Sequence, residues 1–315
     1  MRRLTLLFVF ALALAPLSCN RASPAAGDKP AVALVLKTLN HPFFVDMRRG
    51  AQEAADRLGV NLQVQAAERE IDVDKQMQIV ENLLQTGITV LVITPSGSRE
   101  IVSALVKARD AGVPIVIVDT RLDAKAAADA GVQVQTFIGS DNYEGGKLAG
   151  EYTVNATGGK AKVGILEGIP GHETGDSRLR GFREAVAKAP GITIVASQPA
   201  NWERDQGFNV FQNMLQAHPD IDTVFAASDL MALGAIEAIA AAGKTGKIRV
   251  IGFDALDDAK KAIAAGTMEA SVAQFPYEMG KAAVESAVKV MAGEKLPAEI
   301  MVKLEMVTKN PRLRP

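Results

Sequence analysis

The side chains best suited to chemistry stand where apolar runs stop. Residues 32–36 form an unbroken apolar run, and Lys37, Thr38, Asn40 and His41 follow it, then Pro42, Phe43 and Phe44. A continuous β-rich apolar run reads as a strand covered on both faces, and Pro42 marks a turn or helix start. This strand therefore ends in a cluster of hydrogen-bond donors beside two aromatic faces. That is the chemistry of a pocket for something small, hydroxylated and partly apolar.

The arrangement recurs along the chain. Thr94 follows the run 90–93, Asp119 with Thr120 and Arg121 follows 115–118, and Ser140 with Asp141 follows 137–138. Ser228 and Asp229 follow 224–227, Asp254 follows 250–253, and Gln274 follows 270–273. In open parallel sheets, ligands bind outside the carboxyl ends of the strands. The competing role for such residues is to cap the next helix, which is the expectation for Asp141 and Asp229. Capping is a poor account of Lys37, Asp119 and Gln274.

Other chemistries find little support. The chain has one cysteine, Cys19, and three histidines, His41, His172 and His218. No intramolecular disulfide is possible, and a multi-histidine metal or catalytic centre is not expected. His172 and His218 read as loop residues. Ala242-Gly243-Lys244-Thr245 ends like a phosphate loop, but Ala238 occupies the place of the first glycine and the segment follows a helix pattern. No dinucleotide fingerprint is present, and Ser96 lacks the leading glycine of a nucleophile elbow. A net charge of −1 with no basic patch argues against a nucleic-acid partner. The expectation is a binding protein without cofactor or metal, not an enzyme.

The elements that must hold these residues follow from periodicity. Apolar runs at 32–36, 62–64, 90–93, 115–118, 134–138, 163–166, 192–195, 224–227, 250–253 and 270–273 are mostly separated by helix-length segments with apolar residues at helical spacing. Strand–helix alternation builds a parallel sheet with helices on both faces. So many strands in 315 residues suit two similar α/β lobes better than one sheet. Residues 297–308 read as one final strand.

The amino terminus reads as a targeting segment. Arg2 and Arg3 precede an apolar stretch, 4–15, too short to span a bilayer comfortably. Residues 1–18 are expected to be a signal peptide and Cys19 a lipid attachment site, although Pro16 stands where lipoprotein signals usually carry leucine. Residues 19–30 read as a tether. The mature chain is then extracytoplasmic, in the periplasm or cell envelope, touching membrane only through its anchor.

Together these features resemble the periplasmic monosaccharide-binding proteins of the ribose and allose type, which deliver sugars to ATP-driven importers. The likeness covers about residues 31–310. It rests on Lys-Thr-Leu-Asn-His-Pro-Phe-Phe-Val-Asp-Met at 37–47, Gly-Ser-Asp-Asn at 139–142, Arg178 with Gly181-Phe182, and Ser-Gln-Pro-Ala-Asn-Trp-Glu-Arg at 197–204. Met-Ala-Leu-Gly-Ala at 231–235, Gly-Phe-Asp at 252–254 and Ala-Gln at 273–274 complete it.

The resemblance implies two Rossmann-like lobes with parallel sheets, joined by a three-crossing hinge near Ser140–Asp141, Gln274–Phe275 and Lys303–Leu304. Residues 31–140 and 275–303 would form one lobe, and 141–274 and 304–315 the other. The implied partners are a monosaccharide or sugar alcohol and the membrane permease of an ABC importer, with the chain a monomer. A sensor presenting the same ligand to a membrane receptor is the alternative. Phe43 and Phe44 match the family's aromatics, and Trp202 matches the ring over the opposite sugar face. Asp119, Arg178, Asp254 and Gln274 match its hydroxyl-binding residues, and Lys37 matches the lysine of allose-type members. His41 and Ser228 replace asparagines, Thr94 replaces the ribose type's asparagine, and Thr120 its arginine, with Arg121 adjacent. With Ser140 at the first crossing, these complete the expected ligand-binding set.

Overall fold

The computed structural model describes residues 30–315. The expected signal peptide, Cys19 and the tether up to residue 29 lie outside the described residues. β1 (Ala31–Thr38), α1 (Pro42–Leu58), β2 (Asn61–Ala67), α2 (Val73–Leu84), β3 (Val90–Ile93), α3 (Val102–Asp110), β4 (Ile115–Val118), α4 (Ala124–Asp129) and β5 (Thr136–Gly139) alternate without interruption. A second series follows: α5 (Asn142–Thr157), β6 (Lys160–Glu167), α6 (Glu173–Val186), β7 (Gly191–Pro199), α7 (Arg204–Ala217), β8 (Thr223–Ala226), α8 (Asp229–Ala241), β9 (Arg249–Asp254), α9 (Asp257–Ala265) and β10 (Ala270–Ala273). Then come α10 (Pro276–Met291), β11 (Glu299–Met301), β12 (Glu305–Thr308) and a short 3-10 helix, Pro311–Leu313.

The strands form two six-stranded sheets, in the orders β11-β5-β4-β3-β1-β2 and β12-β10-β9-β8-β6-β7. Each sheet is parallel, except that β12 pairs antiparallel with β10. The expected single strand over 297–308 is thus two short ones, one in each sheet. After β11 the chain donates from Val302 N to Gly139 O at 2.8 Å and then leaves for the other sheet. Packing of α5 on α6 and of α10 on α1 gives two further passes, between β5 and α5 and between β10 and α10.

Local sequence explains the elements that carry the site. β1 is longer than its apolar run, so Lys37 and Thr38 lie within the strand, buried at its carboxyl end. α1 starts with Pro42, whose missing N–H costs nothing there, and His41 caps it by accepting from Phe43 N through Nδ1 at 3.1 Å. Gly59, with φ 70°, closes the helix in the left-handed conformation that glycine adopts without strain. The central strands β3 and β4 are buried along their whole length. Each large apolar side chain there contributes roughly 1.5–3 kcal/mol by leaving water.

Glycines set how closely the site-bearing helices approach their neighbours. A Cβ on Gly280 would meet Met47 O of α1 at 1.9 Å, and one on Gly146 would meet Arg178 O of α6 at 2.0 Å. Among the described residues, no helix is long and apolar enough to cross a membrane.

Candidate ligand-binding site

The carboxyl ends of both sheets face one cavity, with about 310 Å³ of atom-free space. Lys37, His41, Phe43, Phe44, Glu70 and Asp119 line it from the first lobe, and Thr174, Arg178, Trp202, Ser228 and Asp254 from the second. Gln274, at the pass from β10 to α10, completes the wall.

The first lobe contributes rings and a charge cluster. Phe43 and Phe44 meet edge to face, with centroids 5.2 Å apart, and His41 packs edge-on against Phe44 at 5.7 Å. Burial, with Lys37 and Arg178 nearby, holds the His41 imidazole down to about 3, so it is neutral at ordinary pH. Because Nδ1 accepts from the backbone, the proton belongs on Nε2, which makes His41 a neutral donor. Lys37 Nζ lies 3.5 Å from Glu70 Oε2 and 3.8 Å from Asp119 Oδ2. Asp119 itself has φ 65°, a left-handed conformation that costs a non-glycine residue energy and is typical of functional positions.

The second lobe is organised around Arg178, in the second turn of α6. Its Nε donates to Asn142 Oδ1 at 2.9 Å and its Nη1 to Ala227 O at 2.7 Å, while Nη1 lies 3.6 Å from Asp254 Oδ1. Its guanidinium lies 3.9 Å from the centre of the Phe253 ring and 5.5 Å from that of Trp202. Asp254 accepts from Gln274 Nε2 at 2.6 Å. Burial pushes the Asp254 carboxyl up to about 7, with Arg178 pulling the other way. Trp202 and Asp254 also have positive φ, 67° and 108°. Trp202 lies against Gly168, where a Cβ would come within 1.9 Å of the indole. Trp202 Nε1 and Gln274 Oε1 are buried without a hydrogen-bond partner, a donor and an acceptor both unmatched by protein.

Three expected residues do not line the cavity. Thr94 is buried behind it, with Oγ1 3.6 Å from Met47 Sδ. Arg121 is committed to Glu299 at 2.6 Å and stacks over Phe137 at 3.8 Å. Ser140 donates to Gln274 O at 3.4 Å, joining two of the passes between the sheets.

Two lining residues went unnoticed in the sequence, Glu70 and Thr174. Glu70 was hidden because β2 runs to Ala67, beyond the apolar run ending at 64. Applied to the true end of the strand, the same strand-end rule finds it. Asp229 is not a cap. Ser228 caps α8 through Met231 N at 3.5 Å, and Asp229 accepts from Ser271 Oγ and Leu256 N, each at 2.7 Å. Asp141 does cap α5, accepting from Glu144 N at 3.0 Å. His172 is not a plain loop residue: it is buried at the N-cap of α6 with Nδ1 unpartnered. Among the described residues, no cluster of side chains could hold a metal ion.

A model of the periplasmic binding protein domain matches residues 32–295. The chain belongs to that family. Among similar members is the ribose import binding protein of Escherichia coli K12, 41% identical over 288 residues, covering 91% of this chain and 94% of that one. The D-allose-binding periplasmic protein of the same organism is 36% identical over 283 residues, covering 88% and 91%. Among solved structures, an ABC transporter periplasmic solute-binding protein from Actinobacillus succinogenes with bound D-allose superposes with a TM-score of 0.84 at 40% identity, covering 89% of this chain and 98% of that one. This periplasmic binding protein accordingly has two α/β lobes with parallel-dominated sheets, and it is a binding protein, not an enzyme.

Proposed function

We propose that the chain is the substrate-binding component of an ABC-type monosaccharide importer, taking one pentose, hexose or sugar alcohol into the cleft between its lobes. The observation that carries this reading is the cavity wall: aromatic rings from both lobes, with buried charged and polar groups between them. A sugar ring has apolar C–H faces, which aromatic rings cover, and a hydroxyl rim. Lys37, His41, Arg178 and Trp202 Nε1 suit hydroxyl oxygens as donors, and Asp119, Asp254 and Gln274 Oε1 suit hydroxyl protons as acceptors.

In this reading ligand bridges the two lobes and stabilises the closed form, which requires that it prefer that form. The permease then reads the closed shape. An affinity near micromolar, about −8 kcal/mol, is ordinary for such a site. The relatives named periplasmic support an extracytoplasmic location, and Cys19 is the proposed anchor. Arms for ribose- and allose-like sugars follow from the names of the relatives.

The test is a thermal-shift screen over pentoses, hexoses and polyols, since a ligand that binds only the folded state raises Tm. Trp202 is the sole tryptophan, so its fluorescence should change with the same sugar. A saturating panel that moves neither signal removes the proposal.

A further inference from the structure

Glu70 is the most unusual member of the cavity. It reaches the site from the loop between β2 and α2, and that loop is tied to the end of β1. Thr38 Oγ1 donates to Glu68 O at 2.7 Å, and Asn40 Nδ2 donates to the same carbonyl at 2.9 Å. Arg69 N donates to Asp72 Oδ2 at 3.0 Å and closes the loop on itself. So held, Glu70 keeps a side chain only 8% exposed, with Oε2 3.5 Å from Lys37 Nζ. Asp119 stands 3.8 Å from the same ammonium, so Lys37 lies between two carboxyl groups. Both separations exceed an ordinary charged hydrogen bond, about 2.7–2.9 Å. Neither carboxyl is saturated by Lys37.

The charges of the cavity then do not cancel. Arg178 faces Asp254, and Lys37 faces Asp119. Without Glu70 these would be two balanced pairs. Above about pH 7, where Glu70 and Asp254 are ionised, three acidic side chains line the wall against two cations, His41 being neutral.

We infer that Glu70 is a specificity-determining residue of this cavity, setting the charge balance that admits neutral polyols and turns away sugar acids and sugar phosphates. The inference rests on the sugar-binding reading above. A hydroxyl can donate to Glu70 and accept from Lys37, using both groups at once. An incoming carboxylate or phosphate meets an excess of negative charge in a buried site, where like charges are least screened. Burial pushes the Glu70 carboxyl up to about 7, with Lys37 pulling the other way, so the exclusion of anions belongs to the range above that pH.

The experiment is calorimetric titration of the full chain, at a pH well above the Glu70 value, with D-ribose and D-allose, and with the aldonates D-ribonate and D-allonate, for the wild type, Glu70→Gln and Glu70→Asp. The wild type should bind a neutral sugar about 100-fold or more tighter than its aldonate. Glu70→Gln keeps the shape and removes the charge, so that ratio should shrink by about tenfold. Glu70→Asp keeps the charge and withdraws the oxygens, so the neutral sugar should weaken while the ratio holds. A purely structural role would weaken sugar and aldonate alike in both variants. An unchanged ratio in Glu70→Gln overturns the inference, as does a wild type that takes aldonate and sugar equally. If Glu70→Gln does not fold, wild-type sugar affinity in Glu70→Asp overturns it. A wild type that binds neither sugar nor aldonate overturns the sugar-binding reading, and the inference falls with it.

Discussion

The two lobes repeat one plan and furnish it in opposite ways. Both sheets have the same strand order, with β1 to β5 of the first matching β6 to β10 of the second. Histidine stands at the N-cap of the helix after the first strand in each, His41 before α1 and His172 before α6. An aspartate with positive φ ends or follows the fourth strand in each, Asp119 after β4 and Asp254 at the end of β9. Glycines bring α1 against α10 and α6 against α5.

On that shared frame, the first helix of the first lobe presents Phe43 and Phe44, while its β2–α2 loop presents the charge, Glu70. In the second lobe the helix after the first strand, α6, presents the charge, Arg178, and the β7–α7 loop presents the ring, Trp202. The exchange gives each wall of the cavity both a ring and a charge. A duplicated frame with identical furniture would crowd rings beside rings and like charges beside like charges. The difference between the lobes is what makes their meeting surface suitable for a guest with apolar faces and a polar rim.

The largest effect should come from erasing that difference at one position. Met47 occupies in α1 the place that Arg178 holds in α6, six residues after the capping histidine. Arg178→Met leaves Asn142 Oδ1 and Ala227 O without their buried donor and Asp254 without its cation. Affinity for the cognate sugar should fall by about 100-fold or more, or roughly 3 kcal/mol, as expected when one partner of a buried charged pair is lost. Titration measures it, and near-wild-type affinity would break the comparison outright.

The next effect tests whether the glycines serve both lobes equally. Gly146→Ala drives a methyl group into Arg178 O, and Gly280→Ala drives one into Met47 O. Each should lower stability by about 1–3 kcal/mol through forced backbone shifts, read by denaturant melts. Gly146→Ala should also weaken sugar binding more than Gly280→Ala, because the helix it displaces carries Arg178. Equal effects on binding would mean that helix position matters less than the side chains it bears.

These contrasts mark how much was legible in the sequence. Polar residues closing apolar runs announced Asp119, Ser228, Asp254 and Gln274, because a buried strand that turns polar must be leaving the core. Arg121 misled for a local reason: it sits two residues beyond Asp119, yet the chain turns there and carries its guanidinium out to Glu299. Ser140 and Thr94 misled because their hydroxyls are taken up by Gln274 O and Met47 Sδ, contacts made across the fold that no local pattern reveals. Glu70 lies three residues past the end of β2, in a loop that reaches the cavity because Thr38 and Asn40 pin it. The two strands of the tail were invisible for the same reason, since only the second sheet separates them.

The paired histidines give a pH contrast. Burial holds both His41 and His172 down to about 3, from an ordinary value of 6.5. The folded state binds fewer protons than the unfolded chain between those values, so their contribution is present above pH 6.5 and is lost as pH falls toward 3. Glu70 and Asp254, raised to about 7, act in the opposite sense and favour folding as pH falls from about 7. His172 does not line the cavity, so His172→Asn removes one acid-sensitive group without touching the proposed ligand contacts. Relative to the wild type, its Tm should improve steadily as pH falls below 6.5. Parallel Tm curves for the two proteins would remove His172 from the balance.

The smallest effect probes where the lobes touch directly. Thr174 Oγ1 donates to Thr120 Oγ1 at 3.1 Å, and Glu173 N donates to Ser98 Oγ at 3.3 Å, both between the lobes. Thr120 also donates to Asp119 Oδ2 at 2.9 Å, so the contact ends on a carboxylate of the cavity. Ser98 does not line the cavity, which lets the lobe contact be separated from ligand contact. Ser98→Ala removes a single neutral hydrogen bond between the lobes, about 0.5–1.5 kcal/mol. If closure holds the sugar, this cost falls on escape: koff should rise by about two- to tenfold, with kon little changed. Stopped-flow Trp202 fluorescence reads both rates. A slower kon with unchanged koff would mean that the contact forms before the guest is enclosed, and that the lobes meet first through their own hydrogen bonds.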